Sequence, residues 1–204
     1  MSPLRRLLAR GWFVVERRAH GLLGDARQWL LGGLASIDDT ATLHLSARIE
    51  PFSGDPTSIV VGANTHVLGQ LLTTAHGGRI VIGQWGYIGE GSRIWSAEAV
   101  VIGDRVLISH GCEIHDWDAH PLDAVARHAQ YRHIVEHGHP THDFGSRAAA
   151  IHIGDDAWIG FGATIGKGVT IGKGSVIAAR SLVLEDVPPR TLVGGSPARV
   201  IRSL

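Results

Sequence analysis

Aliphatic side chains recur every six residues through the C-terminal part of the chain. From Ile153 they fall at Ile159, Ile165, Ile171, Ile177 and Val183. Four positions after each stands a small or short residue: Ala157, Ala163, Val169, Ser175, Ser181 and Val187. This period is neither that of a helix nor that of a single strand. It belongs to a solenoid whose flat faces repeat after each corner, and three hexads close one triangular coil of a parallel β-helix. The aliphatic residues are expected inside the prism and the small ones at its crowded edges. The glycines of IGDDAW, IGFGAT, IGKGVT and IGKGSV suit corners where a Cβ would be strained.

The same phase runs through Ile37, Leu43 and Ile49, then Val61 and Val67, then Ile82, Ile88 and Ile94, then Ile102, Ile108 and Ile114. Short insertions around Pro51–Ser58, Thr74–Gly78 and Ala97–Val100 shift it at corners, where loops disturb the stack least. A β-helix domain is therefore expected over residues 36–188, interrupted by a long loop insertion at 116–150. That stretch is polar and histidine-rich, and a loop so long inside a compact repeat is functional or disordered. Residues 189–204 read as a C-terminal extension ending in a short helix. Residues 1–35 carry Leu4, Leu7, Leu8, Trp12, Val15, Ala19, Leu22 and Leu23 at helical spacing, which predicts an amphipathic helical segment. Two roles stay open for it: capping the solenoid's end, or resting on an anionic membrane surface through residues 1–34.

Composition narrows the picture. The 204 residues suit one domain, and 19 basic against 19 acidic residues argue for no nucleic-acid partner. A single cysteine, Cys112, excludes an intrachain disulfide framework and fits a reducing compartment. No apolar run reaches the length of a membrane span. A cytoplasmic protein is expected, peripheral to the inner membrane face if the N-terminal segment binds lipid.

Three local motifs go further: AHPLDAVAR at 119–127, IGDDAWIG at 153–160 and VLEDVPPRTLVGGSPARVIR at 183–202. Through them residues 37–204 resemble the hexapeptide-repeat acyltransferases, most of all the sugar O-acetyltransferases that act on maltose, galactosides and surface polysaccharides. The resemblance implies a left-handed β-helix, a homotrimer with sites between subunits, acetyl-CoA as donor and no required metal. It assigns His120, of the His-Pro pair, as general base. Acyl transfer to a hydroxyl needs a base matched to neutral pH, and imidazole supplies it. The other ring nitrogen needs an orienting partner. Asp116 and Asp118 share one side of an extended chain with His120, and Glu98 is a third candidate; Asp118 is favoured.

Trp158 corresponds to a family tryptophan beside the donor, although packing against a neighbouring subunit explains it equally. The Phe161 N–H corresponds to the oxyanion donor. Ala178 and Ala179 suit close passage of pantetheine. Arg199 and Arg202, by resemblance, and Arg180, by position, are candidates for the phosphates of coenzyme A. Glu185 departs from the pattern, since many relatives have lysine there.

Two other classes remain. His110 and His115 have the five-residue spacing of a γ-class carbonic anhydrase, with His76 near the third zinc ligand's place. A non-catalytic trimeric β-helix scaffold is the other. His128, His133, His137, His139 and His142 read as a mobile polar loop, and His133 and His137 would share a metal only if helical.

Overall fold

The computed structural model describes Leu31 and residues 33–204. The amphipathic segment expected over residues 1–35 falls almost wholly outside the described residues. From Ser36 the chain winds through six coils of three strands each. The first comprises β1 (Ser36–Ile37), β2 (Thr42–Leu43) and β3 (Arg48–Pro51); the second β4 (Ile59–Val61), β5 (His66–Val67) and β6 (Gln70–Thr73). The third has β7 (Ile80–Ile82), β8 (Tyr87–Ile88) and β9 (Arg93–Ser96); the fourth β10 (Val100–Ile102), β11 (Leu107–Ile108) and β12 (Glu113–His115). The fifth has β13 (Ile151–Ile153), β14 (Trp158–Ile159) and β15 (Thr164–Ile165); the sixth β16 (Thr170–Ile171), β17 (Val176–Ile177) and β18 (Leu182–Val183). Corresponding strands pair in parallel to make three faces, called A, B and C in chain order.

Register explains the hexad. On face B, Leu43, Val67, Ile88, Ile108, Ile159, Ile177 and Val193 stack in one inward column, and all are buried. Face C stacks Ile49, Leu71, Ile94, Ile114, Ile165 and Val183 in the same way. Each such side chain contributes roughly 1.5–3 kcal/mol of burial. Ala163, Cys112, Ser92 and Ser181 occupy corners, and all are fully or almost fully buried. Coils approach closely at the corner glycines: a Cβ on Gly89 would lie 2.6 Å from the Ser109 carbonyl oxygen of the next coil.

Every excursion leaves from one edge, between faces C and A: residues 52–58, 74–79, 97–99 and 116–150. The longest differs from the loop expected. It holds a helix, α1 (Ala124–His137), whose first turn is capped by Asp123 Oδ1 on the Ala126 N–H at 2.8 Å. Gly138, at φ 88°, ends it. Only Gln130 of α1 is buried, so no apolar stripe announces the helix in the sequence.

The C-terminal helix is also corrected. Residues Thr191–Gly195 form β19, parallel to β17, and Ala198–Ser203 form β20, antiparallel to β19. Thr191 and Val193 are buried while Leu192 between them is partly exposed, the alternation of a strand. The Gly194–Gly195–Ser196–Pro197 turn then blocks helical continuation.

Candidate active site

His120 sits where the long insertion begins. Its neck is closed by antiparallel pairing of Trp117 with Ala148, with the Asp118 N–H on Arg147 O at 3.1 Å and the Ala149 N–H on Asp116 O at 2.8 Å. Asp116 is fully buried and accepts from Ser96 Oγ (2.6 Å) and from the N–H groups of Ala97 (2.7 Å) and Glu98 (3.1 Å). It therefore anchors the insertion to the preceding coil and has no part in orienting His120.

Asp118, the favoured partner, is not on the imidazole either. Its carboxylate meets Lys167 Nζ at 2.5 Å, and only its carbonyl touches His120, accepting the backbone N–H at 2.7 Å. Ala119 between them adopts φ 62°, so the three residues make a tight, strained turn. That turn points the Asp118 side chain toward the coil and sends His120 the other way. The ring's partner is Gln130: His120 Nδ1 lies 2.7 Å from Gln130 Oε1. The Gln130 amide nitrogen points to Ala119 O at 3.4 Å, and the residue is only 6% exposed. An amide oxygen only accepts, so Nδ1 carries the proton and Nε2 keeps the lone pair a base requires. No sequence signal marks Gln130, which lies ten residues on in a helix without amphipathic period.

His120 and Gln130 border a cleft of about 380 Å³ between face C and α1. Its floor comes from far apart in sequence: Glu50, Leu72, Trp95 and His115 are register partners on successive coils. Of these, all but His115 line the cleft, with Trp117 beside them. His115 stacks on Trp95, with centroids 4.9 Å apart and planes 3° from parallel. Its Nε2 is 3.0 Å from Glu113 Oε2, but off a hydrogen-bonding line, so the two groups share charge contact without a formed bond. Burial lowers the basicity of His115, and Glu113 offsets this only in part. Phe52 stacks on His139 at 5.1 Å and joins the first corner loop to the segment just beyond α1.

Trp158 and Phe161 do not line this cleft. Both belong to face B or its edge with face C, and each is 51% exposed. The Phe161 N–H has no hydrogen-bond partner among the described residues. Below it, at the same edge, lie Ala178, Ala179 and Arg180, whose N–H donates to Phe161 O at 2.8 Å and whose guanidinium carbon is 6.0 Å from the Phe161 ring centroid. Arg199 is within 3.5 Å of the Glu185 carboxylate, so the departure from the family pattern has a cation beside it, and Arg202 bonds the Ser203 carbonyl. The structure thus places Phe161, Ala178, Ala179 and Arg180 at the edge between faces B and C, Arg199 and Arg202 on the strand that extends face B, and His120 at another edge.

The histidines of the zinc alternative do not come together within one chain. His76 lines the cleft, His115 stacks on Trp95, and among the described residues no group of three His, Cys, Asp or Glu side chains is placed to hold a metal ion. His133 and His137 are helical after all, with ring centroids 5.0 Å apart.

These features define a class: a parallel β-helix of hexapeptide coils that carries a polarised imidazole beside an apolar cleft. Residues 150–184 match the family described as bacterial transferase hexapeptide (six repeats). A protein of Schizosaccharomyces pombe, named as a proposed acetyltransferase, is 39% identical over 105 residues, 52% of this chain and 44% of that one. A like-named protein of Saccharomyces cerevisiae is 38% identical over 129 residues, 63% of this chain and 58% of that one. The chain spans about half the length of these curated relatives. The polySia-specific acetyltransferase NeuO superposes with a TM-score of 0.64 at 22% identity, over 83% of this chain and 66% of that one. AntD, an N-acyltransferase from Bacillus cereus solved with dTDP and 3-hydroxybutyryl-CoA, gives 0.66 at 18% identity, over 88% and 87%. At these identities the likeness to the solved structures is one of fold. Residues 150–184 thus carry the hexapeptide repeat of bacterial transferases, and the chain is similar to acetyltransferases over about half to two thirds of its length.

Proposed function

We propose that this protein is an acetyl-CoA-dependent O-acetyltransferase acting on a hydroxyl of a sugar or sugar-like acceptor. One observation carries the reading: the His120 imidazole lines a cleft, held through Nδ1 by a buried amide, and its other nitrogen has no hydrogen-bond partner among the described residues. In the reaction Nε2 takes the acceptor's hydroxyl proton as the oxygen attacks the thioester carbonyl. The Phe161 N–H holds the resulting oxyanion. The carbon–sulfur bond then breaks, and the imidazolium returns its proton to the departing thiolate. Trp158 flanks the donor, pantetheine passes Ala178 and Ala179, and Arg180, Arg199 and Arg202 meet the phosphates. No step needs a metal.

Because His120 and Phe161 lie at different edges, the site is completed between two copies, in a homotrimer. The outward column Tyr87, Leu107, Trp158 and Val176 on face B supports this, since a continuous apolar strip is what a subunit interface covers. Sedimentation velocity should return a trimer; a monomer at assay concentration would remove the shared site.

The activity itself is tested by coenzyme A release from acetyl-CoA over a panel of mono- and disaccharides, with and without chelator. Acceptor-dependent turnover should survive chelation and fall by roughly 10²–10⁴-fold in His120→Ala. Absence of turnover with any sugar, together with chelator-sensitive CO₂ hydration, would reverse the assignment.

A further inference from the structure

We propose that the cleft beside His120 is an acceptor subsite for an uncharged saccharide ring, and that Glu50 sets this selectivity by turning acidic sugars away. The role of such a ring as acceptor rests on the acetyltransferase reading; the binding claim rests on the cleft.

The fold separates two chemistries along the solenoid axis. The arginines suited to phosphates, Arg180, Arg199 and Arg202, follow β17 or lie in β20, at the C-terminal end. The cleft is built from the first three coils and the insertion. Its walls are mostly apolar and aromatic, from Phe52, Leu72, Trp95, Trp117 and Ile134, a surface that packs against the C–H face of a sugar. Into this wall projects one carboxylate. Glu50 accepts from the Gln70 amide, which also lines the cleft, so the pair is fixed and presents a localised negative charge with hydrogen-bonding capacity for hydroxyls. Trp95 and His76 also line the cleft, although Trp95 Nε1 and His76 Nδ1 are themselves buried and unpaired among the described residues.

A neutral ring satisfies such a wall. A sugar carboxylate or phosphate placed there meets Glu50 at short range, in surroundings of lower dielectric than water, where like-charge repulsion is strong. Glu50 is thus a specificity-determining residue; it takes no part in the proton transfer.

Equilibrium binding of maltotriose and of trigalacturonate to the full chain, near pH 8 and low salt, tests this by saturation-transfer NMR titration. The neutral trisaccharide should bind at least about tenfold more tightly. Glu50→Gln should bring the two within about threefold, and Glu50→Lys should favour the acidic one. Equal binding by the wild type, preference for trigalacturonate, or binding of neither sugar overturns the subsite. An unchanged ratio in folded Glu50→Gln overturns the role of Glu50. If the neutral preference is found but acetyl-CoA turns over with no acceptor, the subsite stands and the acetyltransferase reading falls.

Discussion

Replacing Gln130 separates the orientation of His120 from its presence. The amide is 6% exposed and spends its oxygen on the ring at 2.7 Å, so Gln130→Ala removes the hydrogen bond and leaves a small void under the insertion. Loss of a neutral hydrogen bond costs about 0.5–1.5 kcal/mol of stability, a modest fall in melting temperature. The catalytic loss should be larger. Without a partner the imidazole samples both tautomers and other rotamers, and orienting groups of this kind are worth about 10–100-fold. We expect kcat to fall by that factor while the KM for acetyl-CoA changes little. Gln130→Glu keeps the acceptor but adds a charge. A carboxylate at that distance favours the imidazolium, so the acidic limb of the kcat/KM profile should move up by about one pH unit. The assay is a thiol-release progress curve at saturating donor from pH 5 to 9, on variants shown to be folded by circular dichroism. Wild-type kcat and an unshifted profile in both variants would refute the claim that Gln130 orients the base.

Three further outcomes follow from other contacts. Asp118→Asn breaks an ion pair with Lys167 at a partly exposed neck, so it should cost no more than about 1 kcal/mol and leave turnover within a few-fold; a loss as large as that of Gln130→Ala would restore Asp118 as the orienting acid. Asp116→Ala strands three donors in the interior and should lower unfolding free energy by about 3 kcal/mol or more in urea titrations, with wild-type stability as the contrary result. His44, chiefly through burial and then through His66 at 3.0 Å, titrates below the usual imidazole range. Its unfolded form gains a proton first, so the stability it contributes is whole above the ordinary pKa and is lost as pH falls from there through its lowered folded value. Differential scanning calorimetry between pH 7.5 and 5 should show a falling melting temperature, with a smaller fall in His66→Asn.

The coil architecture was legible because burial imposes a column at one residue in six, and the columns recur in register. The phase broke where a coil is short. Between Val67 and Leu71 the chain advances four residues where neighbouring coils use six, which hid Leu71 and Leu72 from the pattern. The C-terminal hairpin and α1 were missed for a common reason. Each packs on the finished prism through very few residues, Thr191 and Val193 in one and Gln130 in the other, too few to write a period. In the candidate site, the local motif singles out His120, which the structure places on the cleft. Its environment was not legible: Gln130, Glu50 and Trp95 are brought together by coil register and a helix crossing, and nothing local distinguishes them from surface polar or packing residues.

Confining every excursion to one edge gives the molecule a division of labour between parts that can change and parts that cannot. Length added between faces C and A displaces no coil, because each coil contacts only the ones above and below it. The edge between faces A and B turns through four residues in every coil, and the edge between faces B and C does so in all but the second coil, where the corner is two residues shorter. The segment 116–150 is therefore a transplantable cassette. Its two necks, joined by the Trp117–Ala148 bridge, enter and leave at neighbouring points, and a different sequence held between them would reshape the cleft while the edge between faces B and C kept its form.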